Sequence, residues 1–449
     1  MKGKLFAGIC LLTLASLAGQ SGRDAVDAAY AFYLEEPDRI WADDASFVEA
    51  VYGGDFVRCP PADSVVFSHV KTGDRNADMA AALKLREMLQ PGDVIVSVLT
   101  NDFFARVYSG DVLNLGRPRV LGPLPGSGKL WEGDCANLLF NYDWEEFALA
   151  TGEKSGPSFR LVRPVLSARC RLAARRRHPA GREAPIADER VRGLIETAYA
   201  LYLKGTAAQY CYFKFCDEAL LPDDPKDYSW TRTSRWLPIE ECTPDRTFFS
   251  VCSSFPIEMY YNATGLRLRR DEPGSITHFL HVPEDFVVYR YDVRSSSEPV
   301  ESAVAKIRSL IEPGDVITGI SLPGNGHTMM YIGKVDGHDK AMHGTGRNYD
   351  GHPKYLLDRQ VEYVPSGGKE VFELDGSICC DDIDALMFTP GHYEYLGHFK
   401  QLLLWRPFKR SSLTLTATAK ARLKHPRLRY DRRVEGGIFG AVVSGGELG

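Results

Sequence analysis

The segment Ile307–Thr318 reads IRSLIEPGDVIT, and an earlier segment, Leu85–Val96, reads LREMLQPGDVIV. In both, apolar residues at helical spacing lead into Pro-Gly-Asp and then into a run of β-branched residues. Because proline and glycine end a helix and favour a tight turn, each segment is predicted to form helix, turn and strand. The helices are predicted at Ala80–Leu89 and Val304–Ile311, and this mixture of elements indicates an α+β fold.

Two more motifs occur twice in the chain. AYAFYL at Ala29–Leu34 returns as AYALYL at Ala198–Leu203, and FRLVRP at Phe159–Pro164 is echoed by LLLWRP at Leu402–Pro407. All three pairs of motifs follow the same order, which is typical of an internal repeat. The sequence therefore predicts two tandem copies of one unit, and we expect the two copies to pack against each other.

The repeats and the composition between them divide the chain into five predicted segments. Ser167–Val191 is rich in arginine and broken by proline and glycine, as expected of an exposed linker. Leu413–Thr418 alternates apolar residues with threonine, which predicts a β-rich tail that begins a further, incomplete module. The segments are a signal peptide at 1–19, a first copy at 22–166, a basic linker at 167–191, a second copy at 192–409 and the tail at 410–449.

The N-terminus has the layout of a signal peptide. Lys2 and Lys4 precede an apolar run from Leu5 to Leu17, and small residues follow it. We therefore expect a secreted or cell-envelope protein, with a buried N-terminal helix as the alternative. No later stretch of about 18 uninterrupted apolar residues predicts a membrane span. The net charge of −5 and the pI near 6.2 give no electrostatic reason to expect a nucleic-acid partner.

Of the ten cysteines, nine follow the predicted signal peptide, and an odd number leaves at least one thiol without a disulfide partner. The closest pairs in sequence, Cys211 with Cys216 and Cys379 with Cys380, lack the C-x-x-C spacing of zinc sites. No metal site is therefore expected.

The segment Phe248–Gly265, FFSVCSSFPIEMYYNATG, holds the candidate nucleophile, Cys252. Pro256 is tolerated only in the first turn of a helix, and Asn262 to Gly265 supply a stop, so we expect the helix to begin at Cys252. A helix N-terminus favours the thiolate over the thiol, and its free N–H groups can stabilise an oxyanion. The alternative interpretation is a cysteine that only fills the core.

Two histidines provide a candidate base and a group to orient it. His327 opens the strand HTMMYIGKV, and Asp336-Gly337 predicts a hairpin turn with a return strand through His343. If the turn is centred on Asp336, His343 lies diagonally across from His327 on one face of the hairpin, whereas a slip of one residue turns it away. Asn348 is the second choice for the orienting group, and His338, His352, His392 and His398 are interpreted as ordinary surface or core residues.

The order of these motifs resembles the NlpC-like papain-fold peptidases of bacterial envelopes. The shared pattern is a Cys-Ser-Ser-Phe helix, Pro-Gly-Asp with a strand, Gly-His before a Tyr-Ile-Gly strand, and a second histidine followed by Gly-x-Gly, across Ile195–Phe408. The resemblance implies a nucleophile helix packed on a small antiparallel sheet, and cleavage of amide bonds in peptidoglycan stem peptides. It also implies an oxyanion tyrosine upstream of the cysteine, for which Tyr210 is the candidate, with Tyr228 behind it.

The chain departs from the family pattern at one position, because family members have aspartate directly before the cysteine and this chain has Val251. The first copy departs further. Aligning the copies places Asp44 over Cys252 and Phe104 over His327, so the first copy lacks nucleophile and base and is expected to be inactive. It serves either as a packing partner or in holding substrate.

The leading hypothesis is therefore a secreted cysteine peptidase, a peptidoglycan endopeptidase or amidase, that uses Cys252, His327 and His343 and needs no cofactor. Two alternatives remain open. One is a non-catalytic envelope or cell-wall binding protein, and the other is an acyltransferase of the same fold, which shares the thioester intermediate.

Overall fold

A computed structural model provides the structure of the protein. The residues that it describes are 22–70, 72, 77, 81, 84–85, 87–98, 103–110, 119–124, 126–134, 158–164, 186–205, 208–210, 238–242, 248–250, 252–266, 282–321, 326–335, 337–346, 360–363, 370–373, 376–390, 395–409 and 412–424. They fall into two compact units, a first unit at 22–134 and 158–164 and a second unit at 186–424.

The first unit is a six-stranded antiparallel sheet with helices against it. Its strands lie in the order β1-β6-β2-β3-β4-β5. Helix α1 at 22–35 and helix α2 (Asp44–Tyr52) bury their apolar sides, including Tyr30 and Phe47, against Val96 and Val107 of the sheet. The strands are β1 (Val65–Val70), β2 (Val94–Val98), β3 (Phe103–Gly110), β4 (Arg119–Pro123), β5 (Leu130–Asp134) and β6 (Ser158–Val162).

The second unit contains another six-stranded antiparallel sheet, in the order β9-β16-β10-β11-β12-β15. Numbered from its own first strand, this order is the same as that of the first unit. The sheet strands are β9 (Val287–Asp292), β10 (Val316–Ile320), β11 (Gly326–Val335), β12 (His338–Gly346), β15 (Gly376–Asp382) and β16 (Gln401–Trp405). Beside them lie a parallel pair, β7 (Ala208–Tyr210) and β8 (Phe248–Ser250), and a hairpin of β13 (Gln360–Tyr363) and β14 (Glu370–Glu373).

The described part of the second unit also contains four α-helices: α3 (Glu189–Tyr202), α4 (Phe255–Thr264), α5 (Val300–Leu310) and α6 (Ala417–Lys424). Ala303 and Ile307 of α5 are fully buried in a core with Met329 and Leu404 of the sheet. The predicted α+β class is thus confirmed. The predicted helix at Val304–Ile311 is confirmed within α5, and Ala81, Lys84, Leu85, Glu87 and Met88 of the predicted Ala80–Leu89 helix are helical.

Each Pro-Gly-Asp turn is held by the arginine of the repeated Arg-Pro motif. Arg163 Nε and Nη2 donate to the two carboxylate oxygens of Asp93 at 2.8 and 2.9 Å, and Arg406 contacts Asp315 in the same way at 2.8 and 3.0 Å. Both carboxylates are buried. Burial raises the pKa of Asp315, and the Arg406 guanidinium opposes that shift. The two repeated motifs are therefore two halves of one bidentate contact in each unit.

The predicted β-rich tail is wrong for the part that the structure describes. Residues 413–416 form no strand, and Ala417–Lys424 is the helix α6, which packs on α3 and α4 of the second unit. Ala419 N donates to Thr416 Oγ1 at 3.1 Å, so a threonine cap followed by Ala, Lys and Arg residues sets the helix. The predicted signal peptide, the residues of the predicted linker before 186 and the tail after 424 lie outside the described residues.

Candidate active site

Cys252 lies with Ser253 and Ser254 in a turn directly before α4. The prediction that the helix begins at Cys252 is wrong, because it begins three residues later, at Phe255. A valine at position 251 has no side-chain acceptor for the first-turn N–H groups, and Ser254 makes no side-chain cap bond at the N-cap position. The helix is therefore not capped at the cysteine.

The remaining helix signals are confirmed. Pro256 lies in the first turn, where its missing N–H has no cost. The helix ends at Thr264, and Gly265 follows in the left-handed region at φ 73°. The stop of this helix is thus set by local sequence, and Pro256 is compatible with its first turn.

A buried polar network joins the two sides of the Cys252 turn. Ser250 Oγ donates to Glu258 Oε2 at 2.6 Å and lies 2.8 Å from Ser254 Oγ. All three side chains are buried. Because Ser250 precedes the cysteine and Ser254 follows it, this network fixes both ends of the turn on the first two turns of α4. Buried and mutually satisfied hydrogen bonds of this kind restrict the turn to one conformation.

The two candidate histidines form a direct hydrogen bond. His327 Nε2 lies 2.9 Å from His343 Nδ1, with the rings nearly perpendicular at 88°. His327 is 7% exposed and His343 is fully buried. Cys252 Sγ contacts the carbonyl oxygen of Gly326, the residue directly before His327, at 3.9 Å. The predicted neighbourhood of His327 and His343 is confirmed, and the thiol lies beside the start of the strand that carries His327.

A β-bulge places His343 on the same face as His327. The hairpin turn lies between Val335 and His338, which pair with each other, as the Asp336-Gly337 signal predicts. Continued without a break, that register would pair His343 with Met330 and turn it away from His327. The register instead shifts between Tyr331 and Gly333, so that Met342 pairs with Met330. Continued by one step, this register places His343 opposite Met329, on the face of His327. The extra residue is Ile332, and Gly333 adopts φ 90° at the bulge.

Asp381 is a site residue that the sequence reasoning missed. Its Oδ2 lies 3.3 Å from His343 Nε2, and the carboxylate is 1% exposed. In the β12–β15 ladder, His343 faces Cys379 and Ala341 faces Asp381, so Asp381 is the diagonal neighbour of His343. The alternation of Cys379 and Asp381 on one strand face was the available signal, but the register of a strand 38 residues further on cannot be predicted from local patterns.

The other candidates divide into three groups. Tyr210 is the last residue of β7, beside β12 and β15, and the structure does not describe its side chain. Tyr228, Asn348, His352 and His392 lie outside the described residues. His338 is buried in β12 and His398 is exposed, in agreement with their interpretation as ordinary residues.

The corresponding positions of the first unit hold a different set of contacts. Phe104 faces Ser97 in the register in which His327 faces Gly319. Asp44, the first residue of α2, accepts from Ala105 N at 2.7 Å and from Arg106 Nη1 at 3.0 Å. Arg106 is buried, and its guanidinium lies 3.7 Å from the centre of the Phe104 ring. An ion pair stacked on an aromatic ring thus lies where the second unit has thiol and imidazole.

Within the part of the chain that the structure describes, no cluster of three or more His, Cys, Asp or Glu side chains is arranged to hold a metal ion. No helix among the same residues is long and apolar enough to cross a membrane. The chain matches no protein-family model, no curated protein and no solved structure.

Proposed function

We propose that the second unit is a cysteine hydrolase of the NlpC-like papain-fold type, exported to the cell envelope, which cleaves amide bonds in peptidoglycan stem peptides. The observation that carries the proposal is the buried chain of His327, His343 and Asp381, which begins next in sequence to Gly326, whose carbonyl oxygen the Cys252 thiol contacts. A core histidine pair has no need of a carboxylate behind it and a thiol in front. A cysteine nucleophile, a histidine base and a group that orients the base are arranged in this order in a catalytic site.

The proposal includes the finer description of the fold. Equal strand order, the paired Arg–Asp contacts and a bulge at the same place in β3 and β11 support two tandem copies. A short helix that follows the cysteine turn and a sheet strand that begins one residue before the base support a papain-like fold for the second copy, and the equal strand order extends it to the first. The first copy is inactive, because Asp44 cannot form a thioester and Phe104 cannot accept a proton.

The reaction is acyl transfer to water. The Cys252 thiolate attacks the amide carbonyl carbon, and backbone N–H groups of the turn and of α4 stabilise the oxyanion. His327, protonated by the thiol proton, gives this proton to the leaving nitrogen as the C–N bond breaks. His327 then takes a proton from water, whose oxygen attacks the thioester, and the products are a carboxylate and the regenerated thiol.

The test is incubation of the full chain and of a Cys252→Ala variant with purified peptidoglycan, with new amines and muropeptides followed by mass spectrometry. Release that depends on Cys252 supports the hydrolase and identifies the bond. An acyl group found on an added amine in place of water would replace hydrolysis by acyl transfer. No release and no labelling of Cys252 by a thiol-reactive amide probe would overturn the proposal in favour of a binding protein.

A further inference from the structure

Asp381 determines which nitrogen carries the proton on His343. An ionised carboxylate has acceptors only, so the contact between Asp381 Oδ2 and His343 Nε2 at 3.3 Å requires Nε2–H on His343. A neutral imidazole has a single N–H, and Nδ1 of His343 is then an acceptor. The tautomer of His343 thus follows from a carboxylate on a neighbouring strand.

The proton position on His327 follows from that on His343. Its Nε2 lies 2.9 Å from His343 Nδ1, and because that nitrogen is an acceptor, Nε2 of His327 is the donor. The remaining nitrogen of His327, Nδ1, keeps its lone pair. That nitrogen is the one left to accept the proton of a thiol, so the order of protons in two buried hydrogen bonds decides whether His327 can act as a base.

We propose that Asp381 is the positioning residue of this relay, holding both histidines as Nε2–H tautomers and stabilising the imidazolium that forms when His327 takes the thiol proton. The inference rests on the proposed roles of Cys252 and His327. Asp381 contacts His343, and it acts on His327 through that residue. A buried negative charge two hydrogen bonds away favours the thiolate–imidazolium pair over the neutral pair.

The described ionisable groups on the elements around the relay have other partners. Lys340 and Asp382 pair with each other at 2.7 Å, and Glu258 on α4 accepts from Ser250. Tyr199 on α3 contacts Cys380, and Cys379 faces His343 across the ladder. Asp381 is the carboxylate with an oxygen at hydrogen-bond distance from His343, and Asp382, its neighbour in sequence, supplies a matched control.

The test is the rate at which iodoacetamide alkylates Cys252 in the full chain between pH 5 and pH 9, followed at the Cys252 peptide by mass spectrometry. The variant is Asp381→Asn, whose amide can donate to His343 Nε2 and reverse both hydrogen bonds. We expect its alkylation rate at pH 6 to fall at least about tenfold and its profile to move towards that of an ordinary thiol, about pH 8.5. The exposed thiol Cys59 is the internal control and should keep its profile.

Asp382→Asn breaks the buried pair with Lys340 without touching the relay, so it should leave the Cys252 profile unchanged. An unchanged Cys252 profile in folded Asp381→Asn would overturn the inference. If that variant does not fold, imidazole ¹⁵N shifts of the unaltered protein decide: Nε2–H on both His327 and His343 supports the assignment, and a ring protonated at Nδ1 but not at Nε2 on either residue contradicts it. Neither measurement uses peptidoglycan. If the protein passes both tests but cleaves no peptidoglycan, the proposed substrate is wrong and the proposed role of Asp381 stands.

Discussion

The two units have the same strand order, but they carry different residues at the positions that correspond to the candidate site. The aligned sequences place Asp44 and Phe104 of the first unit at the positions of Cys252 and His327. Phe104 has the strand register of His327, whereas Asp44 is the first residue of α2 and Cys252 lies in the turn before α4. At the position of His343, one step beyond the last matched pair of the hairpin, the first unit has Gly122. In the neighbouring strand pairs, Gly133 faces Val120 in the first unit as Asp381 faces Ala341 in the second, so Gly133 occupies the position that corresponds to Asp381.

These replacements depend on one another. A Cβ on Gly122 would lie 2.6 Å from Arg106 Cδ, so the glycine leaves the space that the buried arginine occupies. Burial lowers the pKa of Arg106, and Asp44 beside it opposes that shift and keeps the ion pair in place. The two units thus share a strand order, an Arg–Asp contact and a bulge, while different sets of buried contacts fill the positions that the sequence alignment pairs.

Exchanging residues between the units should have the largest effect. In the second unit, Cys252→Asp or His327→Phe, each copied from the first unit, should reduce muropeptide release roughly 10⁴- to 10⁶-fold, because a nucleophile or base is lost. The matched control, Phe104→His in the first unit, should leave the rate unchanged, since Gly122 and Gly133 still replace the rest of the relay. Release that falls with Phe104→His would show that the first unit takes part in the reaction.

The Arg–Asp contacts should be the next most sensitive feature. Arg406→Met and Arg163→Met each leave a buried carboxylate without its bidentate partner, and each should lower the stability of its own unit by about 3 kcal/mol. Hydrogen exchange of peptides from each unit measures the effect. Equal losses of stability would show that the Arg–Asp contact has the same structural role in both units, whereas a loss in one unit alone would show that it does not.

The bulge glycines should respond less strongly. Gly333 and Gly110 have φ of 90° and 73°, and an added Cβ would lie 3.0 Å and 2.8 Å from Cγ of Pro313 and Pro91. Replacing either by alanine should lower the stability of its unit by about 2 kcal/mol. Peptide hydrogen exchange and activity are the measurements, and Gly333→Ala alone should also slow muropeptide release. A Gly110→Ala variant with reduced activity would contradict this separation.

The smallest effect should come from Asp27 of the first unit. Burial raises its pKa to about 7, with Asp24 adding to the shift, and its Oδ1 has no hydrogen-bond partner among the described residues. The pKa of Asp27 is higher in the folded than in the unfolded chain, so its protonation favours the folded state. This contribution to the free energy of unfolding is complete below pH ~4 and is lost as the pH rises through about 7. Asp27→Asn should therefore stabilise the first unit by about 1 kcal/mol at pH 8, measured by thermal unfolding from pH 4 to pH 8. A similar gain from Asn at the exposed Asp63 would contradict a local origin.

Local signals were sufficient for much of the second unit. The Pro-Gly-Asp turn, the stop at Gly265 and the Asp-Gly hairpin each depend on the conformation of one or two residues, and all three are found as predicted. The start of α4 was misplaced because it depends on a cap. The first unit has that cap at Asp43, whose side chain accepts from Ser46 N at 2.7 Å.

Contacts between distant segments could not be predicted. The position of His343 was right for an incomplete reason, because the turn alone sets the opposite register and the bulge at Ile332 corrects it. Asp381 reaches His343 through a strand pairing that no nearby sequence pattern specifies. The tail was misjudged because alternation at Leu413–Thr418 imitates a strand, whereas the capping threonine of α6 lies inside that same stretch.

The bulge in β11 shifts the pairing of the hairpin by one residue. One inserted position, Ile332, inverts the parity of every residue that follows it in the hairpin, and inward and outward faces exchange together. The first unit carries the same inversion at Ser109. In both units the bulge, and not the turn alone, sets which side chains of the hairpin share a face.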